Sequence, residues 1–281
     1  METSNETVSV DGIEVSPPDT APKNWELQAH SVWRAAVYLA RHIEGILSPY
    51  ICGVFSSDSP AYGHVSALRL DALELGAASG LPGISLAIML GRNLQKRSDG
   101  GKIHAVTVTL SDYPDPSILS TLRSNIERNS LLINPEVTMK VIGHIWGSTS
   151  ASAQEISDGH LGRYDLIIAA DVLWLRDQHA NLLTTFKNHL RLTDPDLKIN
   201  PTIIVVAGLH TGRHVIAHFL KLAGCSGFHL KRGAREVRLV NDEEDVMDPS
   251  DFIWRDWAVE RADETAADRS LWVVEIILGR S

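Results

Sequence analysis

An α/β fold is predicted: a central, mostly parallel sheet of about seven strands, helices on both faces, and an antiparallel hairpin at one edge near the C-terminus. Three observations carry it. Apolar strand-like runs alternate with helical segments from about residue 67 to residue 223, the pattern of right-handed crossovers. Within that alternation, residues 70–83 (LDALELGAASGLPG) run from a buried-strand pattern through a small-residue turn into a helix. Two late strand-like runs, residues 235–240 and 271–278, have no clear crossover helix between them.

Taken in order, residues 1–23 carry Glu2, Glu6, Asp11, Glu14 and Asp19 with no base before Lys23, and Pro17, Pro18 and Pro22 punctuate them. They are expected to be a mobile acidic segment ahead of a single domain, residues 24–281. Val32, Trp33, Ala36, Val37, Leu39, Ala40, Ile43, Ile46 and Leu47 form a helical stripe, and Pro49 is expected to stop that helix. Residues 52–64 read as a loop rich in Ser, Gly and Pro. Strand one is expected over residues 67–75. A helix follows over 81–90, with Pro82 tolerated in its first turn, and then a polar loop over 91–102. Residues 103–110, rich in β-branched side chains, are strand two, and residues 116–129 are a helix with Ile118, Leu119, Leu122 and Ile126 on one side. Residues 137–142, 165–170 and 202–208 are strands three to five; residues 178–190 and 214–223 are helical, and Gly224 can end the latter. Residues 241–251 (NDEEDVMDPSD) read as a solvated acidic connection rather than a metal site.

Composition bounds the function. The chain has 281 residues, 44% of them hydrophobic, enough for one large α/β domain. A net charge of −9 argues against a general nucleic-acid binder, which needs a basic face. Two cysteines, Cys52 and Cys225, make no disulfide framework and fit a reducing compartment. Neither a secretory leader nor a membrane span is read, so a cytoplasmic or nuclear setting is expected.

Six features carry candidate chemistry. Gly76, Ala78, Gly80 and Gly83 form a degenerate glycine turn between strand one and its helix, where a backbone can approach a nucleotide or merely pack closely. A nicotinamide-dinucleotide fold competes, but it would want G-x-G-x-x-G and an acid nearer in sequence. Glu74, second from the end of an apolar strand, needs a cationic partner, such as an ammonium or a sulfonium, or backbone N–H groups. Asp112 closes strand two, where a carboxylate can hold ribose hydroxyls or simply form a turn; Asp115, between two prolines, suits the turn better. Trp146, between Gly143 and Gly147, can offer a flat face to a purine or anchor its loop to the core. Asp171 closes strand four, with Trp174 three residues on, and both can wall a pocket. His210 and His214 have chelate spacing, but no third ligand stands out and no metal is expected. His210 alone suits a pocket residue or a base.

LELGAASGLPG, SDYPDPSILSTLRSNIERN, GHIWG and YDLIIAADVLW, in that order, resemble the class I, seven-strand methyltransferases that bind S-adenosylmethionine in a Rossmann-like fold. Within them the chain is similar to the fungal nicotinamide N-methyltransferase-like group. That group includes the enzyme acting on the N-terminus and a lysine of translation elongation factor 1A. It is also related to lysine methyltransferases marked by an Asp-x-x-aromatic motif. The resemblance covers residues 32–208 and implies roles. Trp33 would lie over the cofactor. Glu74, Gly76, Ala78 and Gly80 would line its methionine end. Asp112, with Tyr113, would hold the ribose and border the adenine, and Trp146 would contact the adenine. Ala170 would lie behind the cofactor, and Asp171 would face the substrate with Trp174 nearby. The family often shows Trp-Asn at the early helix, where this chain has Trp33-Arg34, and the sequence after Asp171 also departs from the protein-modifying pattern. The resemblance implies N-methylation of a protein lysine or N-terminal amine, a translation factor among the possible substrates, with S-adenosylhomocysteine as product. Two alternatives stand beside it: methylation of a small molecule, such as a nicotinamide-like amine or a secondary metabolite, and a non-catalytic binding subunit of methyltransferase type.

Overall fold

Among the described residues, nine strands form the main sheet, and a two-stranded hairpin lies apart from it. The structure, a computed structural model, describes residues 7–19, 29–55, 68–96, 103–148, 164–192, 200–239 and 253–280. The acidic connection at 241–251 lies outside the described residues, as do residues 56–64 of the expected loop after the first helix.

The first described residues correct an expectation. Strands β1 (Val8–Val10) and β2 (Ile13–Val15) pair antiparallel and bury Val10, Ile13 and Val15 in the core. Two buried asparagines, Asn125 in the helix Pro116–Arg128 and Asn129 capping its end, hold β2 as a strand edge would. Asn129 Oδ1 accepts from Glu14 N–H at 3.0 Å and its Nδ2 donates to Glu14 O at 2.7 Å; Asn125 does the same for Ser16 at 3.1 and 2.8 Å. The predicted mobile segment is therefore a docked hairpin over residues 7–19. The acidic residues Asp11, Glu14 and Asp19 mark only its exposed side, while alternate apolar residues and both prolines, Pro17 and Pro18, turn inward.

Helix α1 (Arg34–Phe55) runs through Pro49 rather than stopping at it. A proline inside a helix costs about 3 kcal/mol. Burial of Ile43, Ile46, Leu47 and Ile51 on the following layers offsets that. Strand β3 (Leu68–Leu75) leads to helix α2 (Leu81–Lys96), which takes in the first part of the expected polar loop. Strand β4 (Ile103–Asp112) leads to α3 (Pro116–Arg128), capped by Asp115, whose carboxylate accepts from Ser117 N–H at 2.9 Å. Then come β5 (Val137–Gly143), β6 (Leu166–Ala170), α4 (His179–His189), β7 (Thr202–Gly208) and α5 (Arg213–Cys225). The chain closes with β8 (Phe228–Leu230), β9 (Arg235–Arg238), β10 (Trp254–Asp256), α6 (Ala266–Ser270) and β11 (Trp272–Arg280).

The order is β10-β9-β11-β7-β6-β3-β4-β5, with β8 also on β11. Strands β3 to β7 are parallel, and β11 runs antiparallel to β7, β8 and β9. The late antiparallel pair is present at this end of the sheet as β9 and β11, with β10 added outside β9. Seven-residue β7 is buried throughout and needs a neighbour on its open side, and β11, with seven successive buried residues, inserts there. The strands beyond the predicted seven, β8 and β10, have three residues each, too few for a periodic signal.

Alternation along the parallel strands divides the core. Leu70, Ala72, Ile168 and Ile204 pack towards α1 and α2, whereas Leu73, Leu75, Ile167 and Ile203 pack towards α4 and α5. From β3 the chain proceeds through β4 to β5 on one side; from β6 it proceeds to β7 on the other. The adjacent carboxyl ends of β3 and β6 thus bound the crevice where such sheets take ligands. Among the described residues, no helix is long and apolar enough to cross a membrane.

Candidate active site

A cleft of about 270 Å³ opens at that crevice. Its floor is the turn after β3. Gly76 has φ +68°, and a Cβ on it would meet Val172 Cγ1 at 2.7 Å, so only glycine leaves the space free. Ala78 also adopts a positive φ, +45°, which costs about 1–2 kcal/mol for a residue with a Cβ. Its N–H donates to Asp112 Oδ2 at 2.7 Å, and Ala77 N–H donates to Ser111 O at 3.0 Å, so the end of β4 holds the turn in that shape. Gly80 lies outside the cleft lining, its Cα side against Leu110 and Leu122. The resemblance places Gly80 at the ligand; the structure gives it the packing role of fitting helix α2 against the sheet.

Two carboxylates face the cleft from β3 and β4. Glu74 is buried and accepts one hydrogen bond, from Gly83 N–H at 2.9 Å. Burial pushes its carboxyl well above the ordinary range, which the Gly83 bond opposes and the Asp112 charge reinforces. Among the described residues no cationic side chain pairs with it. Asp112 is raised by burial too, against hydrogen bonds from the N–H groups of Ala78 and Tyr113.

The loop after β5 forms the wall beside Asp112. His144 N–H donates to Asp112 O at 2.8 Å, and Trp146 hangs over Gly76, its Cζ2 3.4 Å from where a Cβ there would sit. Tyr113 and Ile145, both exposed and apolar, flank the mouth on this side. The opposite wall comes from β6. Asp171 has φ +56°, accepts from Gly208 N–H at 2.9 Å, and lies 3.9 Å from His210 Nε2. Burial raises its carboxyl, and the His210 charge and the Gly208 bond oppose that. His179 supports this wall from α4: its Nε2–H donates to Leu173 O at 2.8 Å, and its Nδ1 accepts from His218 Nδ1–H at 3.0 Å.

The structure thus brings ten of the twelve sequence-predicted site residues to one cleft: Trp33, Glu74, Gly76, Ala78, Asp112, Tyr113, Trp146, Ala170, Asp171 and Trp174. His210 is outside the lining but stacks on Trp33, ring centroids 5.6 Å apart and planes 10° apart, so it adjoins the cleft beside Asp171. Sequence reasoning missed Val32, Ala36 and Ser79, apolar or small residues with no chemical signature, and also His144, Val172 and Gln178. His144 was findable, two residues before Trp146 in GHIWG. Gln178, at the start of α4, had no signal at all.

Behind the Asp171 wall lies a charged cluster. Buried Arg213 donates to Glu236 at 2.6 and 2.8 Å and to Glu264 at 2.7 Å from two nitrogens, while Arg255 and Arg261 also reach Glu236. Burial alone would raise the Glu236 carboxyl; hydrogen bonds from Arg213, Arg261 and Arg255 instead carry it down to about 2. The cluster fastens β9, β10 and α6 to the start of α5, three residues after His210.

The strand order and this cleft at its switch point define the class: a Rossmann-like methyltransferase fold. Over residues 23–210, well over half its length, the chain matches the lysine methyltransferase family, and it belongs to that family. It is similar to the protein N-terminal and lysine N-methyltransferase EFM7 of Gibberella zeae, with 33% identity over 129 residues, 43% of each chain. The efm7 protein of Schizosaccharomyces pombe is 25% identical over 232 residues, covering 79% of this chain and 73% of that one. The chain thus spans less than half the length of the first relatives it matches. Among solved structures, the arsenic(III) S-adenosylmethionine methyltransferase CrArsM of Chlamydomonas reinhardtii aligns at 14% identity and a TM-score of 0.42, covering 83% of this chain and 74% of that one.

Proposed function

We propose that the chain transfers a methyl group from S-adenosylmethionine to nitrogen, with a protein lysine or N-terminal amine as acceptor. One observation carries this reading. The cleft has three carboxylates in sequence, Asp112 beside Trp146, Glu74 in the middle, and Asp171 beside Trp33 and His210. The first suits ribose hydroxyls, the second a cation held near the turn, and the third an incoming amine. Glu74, buried with one hydrogen bond and no cation among the described residues, and Gly76, whose missing Cβ leaves the turn open, both fit the cofactor.

Gly76 and Ala78 would approach it through the backbone, and Asp112, Tyr113 and Trp146 would hold its adenosine. Trp33 would cover it, and Ala170 would lie behind it. When bound, S-adenosylmethionine supplies a methyl already activated on a sulfonium sulfur, and S-adenosylhomocysteine is the product. The protein therefore works chiefly by positioning. Asp171 orients the acceptor amine, which must be neutral to attack. His210 takes its proton and, being exposed on the outer side, passes it to solvent. Trp33 and Trp174 wall the acceptor side against water.

The test is radiolabelled S-adenosylmethionine with cell lysate, then with purified translation elongation factor, the substrate the resemblance implies. Label in a discrete protein band supports the reading. Label confined to small metabolites moves the acceptor to a small-molecule amine. Absence of both labelling and S-adenosylhomocysteine binding overturns it.

A further inference from the structure

Helix α4 touches both walls of the cleft, and one of its residues controls the Trp146 wall without reaching the ligand space. Thr185 is buried and stands outside the cleft lining. Its hydroxyl has one proton and two acceptor positions. The proton goes to Asn181 O, 3.0 Å away on the preceding helical turn. Both remaining neighbours must then donate to it: Gly147 N–H at 2.8 Å, and His144 through Nε2–H at a longer 3.5 Å. The hydroxyl's capacity is full, and its two donors are the residues either side of the Ile145–Trp146 pair. His144 is fixed as the Nε2–H tautomer, with its buried Nδ1 lone pair lacking a partner among the described residues. Gly147 is seated tightly as well. Its φ is +76°, and a Cβ there would meet Asn181 Oδ1 at 2.7 Å and Cγ at 2.9 Å.

We propose that Thr185 is a positioning residue for cofactor binding: by receiving Gly147 N–H and His144 Nε2–H it seats the Trp146 ring beside the Gly76 turn, so that the ring can meet the adenine. This rests on the reading of the cleft given above. Trp146 is the group that meets the ligand, and Thr185 acts only through the loop that carries it.

The experiment is a double-mutant cycle of Thr185→Val and Trp146→Ala, read as S-adenosylhomocysteine affinity by calorimetry on the full chain. Valine keeps the shape and removes the acceptor from the partly buried Gly147 N–H and the buried His144 Nε2–H. Affinity is expected to fall about tenfold in the parent, because an orphaned donor lets the loop leave its seat. In the Trp146→Ala background the same change is expected to cost less than about twofold, since the ring it positions is gone. Thr185→Ser, which keeps the hydroxyl, restores affinity to within about twofold. An equal loss in both backgrounds, or no loss in the parent, overturns the proposal, because a merely structural threonine gives additive effects. Should Thr185→Val not fold, Gly147→Ala, which strains the same loop from the chain side, takes its place in the cycle with the same outcomes for and against. If the parent protein itself does not bind S-adenosylhomocysteine, the reading of the cleft fails rather than the role of Thr185.

Discussion

The floor of the cleft and its Asp171 wall both leave the carboxyl end of a buried parallel strand, and each is pinned by the end of the adjacent strand: Ala78 N–H donates to Asp112 on β4, and Gly208 N–H at the end of β7 donates to Asp171. They differ in what else holds them. The turn at Gly76 is shaped by small residues and backbone N–H groups. The wall at Asp171 adds polar side chains: His210 faces it, His179 holds Leu173, and the Arg213 cluster fastens the segment after His210. A wall that leans on several further side chains can be retuned by any of them, which on the proposed reading suits the half of the site that recognises an acceptor.

The largest effect that bears on this contrast is expected at Arg213. Arg213→Met leaves Glu236 and Glu264 buried without their main partner, and stability should fall by about 3–5 kcal/mol. Urea denaturation would measure that loss. At urea-free conditions where the variant stays folded, S-adenosylhomocysteine affinity should be close to that of the parent. A loss of affinity as large as the loss of acceptor turnover would erase the distinction between floor and wall.

Next in size is a paired comparison of the two ligand-facing aspartates. Asp171→Asn should lower turnover about a hundredfold while cofactor affinity stays within about threefold, since the amide can still accept from Gly208 N–H but no longer holds a cationic amine. Asp112→Asn should do the reverse, weakening cofactor binding about tenfold with a smaller effect on turnover at saturating cofactor. Turnover and calorimetry on the two variants decide it. Equal effects of both changes on both quantities would show one undivided site.

The smallest effects are in pH. His144 and His189 are held down to about 4, in both cases chiefly by burial, with the charge of His189 adding to the shift at His144. In the unfolded chain they titrate near 6.5, so between about pH 6.5 and 4 the unfolded state binds more protons. Stability should therefore decline as pH falls through that window. Glu236 acts in a lower one: its carboxyl is depressed from 4.5 to about 2, so its share is present above pH 4.5 and is lost as pH falls towards 2. Urea midpoints across pH should show the first decline shallower in His189→Phe and the second shallower in Glu236→Gln. A first window unchanged by His189→Phe would remove the histidine pair from the account.

Much of this was legible before any coordinates. Apolar runs such as TIIVVAG announce buried parallel strands, and their alternation with helices yields the layered architecture. Asp112 and the Gly76 turn stand out because strand end, bend and helix start are adjacent in the chain. Other features were read wrongly for an equally physical reason. The composition of residues 7–19 resembles a free tail, and only the amides of Asn125 and Asn129, more than a hundred positions away, turn it into a docked hairpin. Pro49 carries a strong local preference that burial of neighbouring side chains overrides.

What the sequence by itself determined is therefore the α/β class, the five parallel strands, and the glycine turn with its acid on the next strand. Those depend on periodicity and on short-range sterics, which a few consecutive residues encode. Tertiary structure alone decided that β11 inserts between β7 and β9, that His210 stacks on Trp33, and that Thr185 seats the Trp146 loop. Each of these joins groups far apart in the chain, and such a contact takes its energy from a geometry that exists only after the layers have packed.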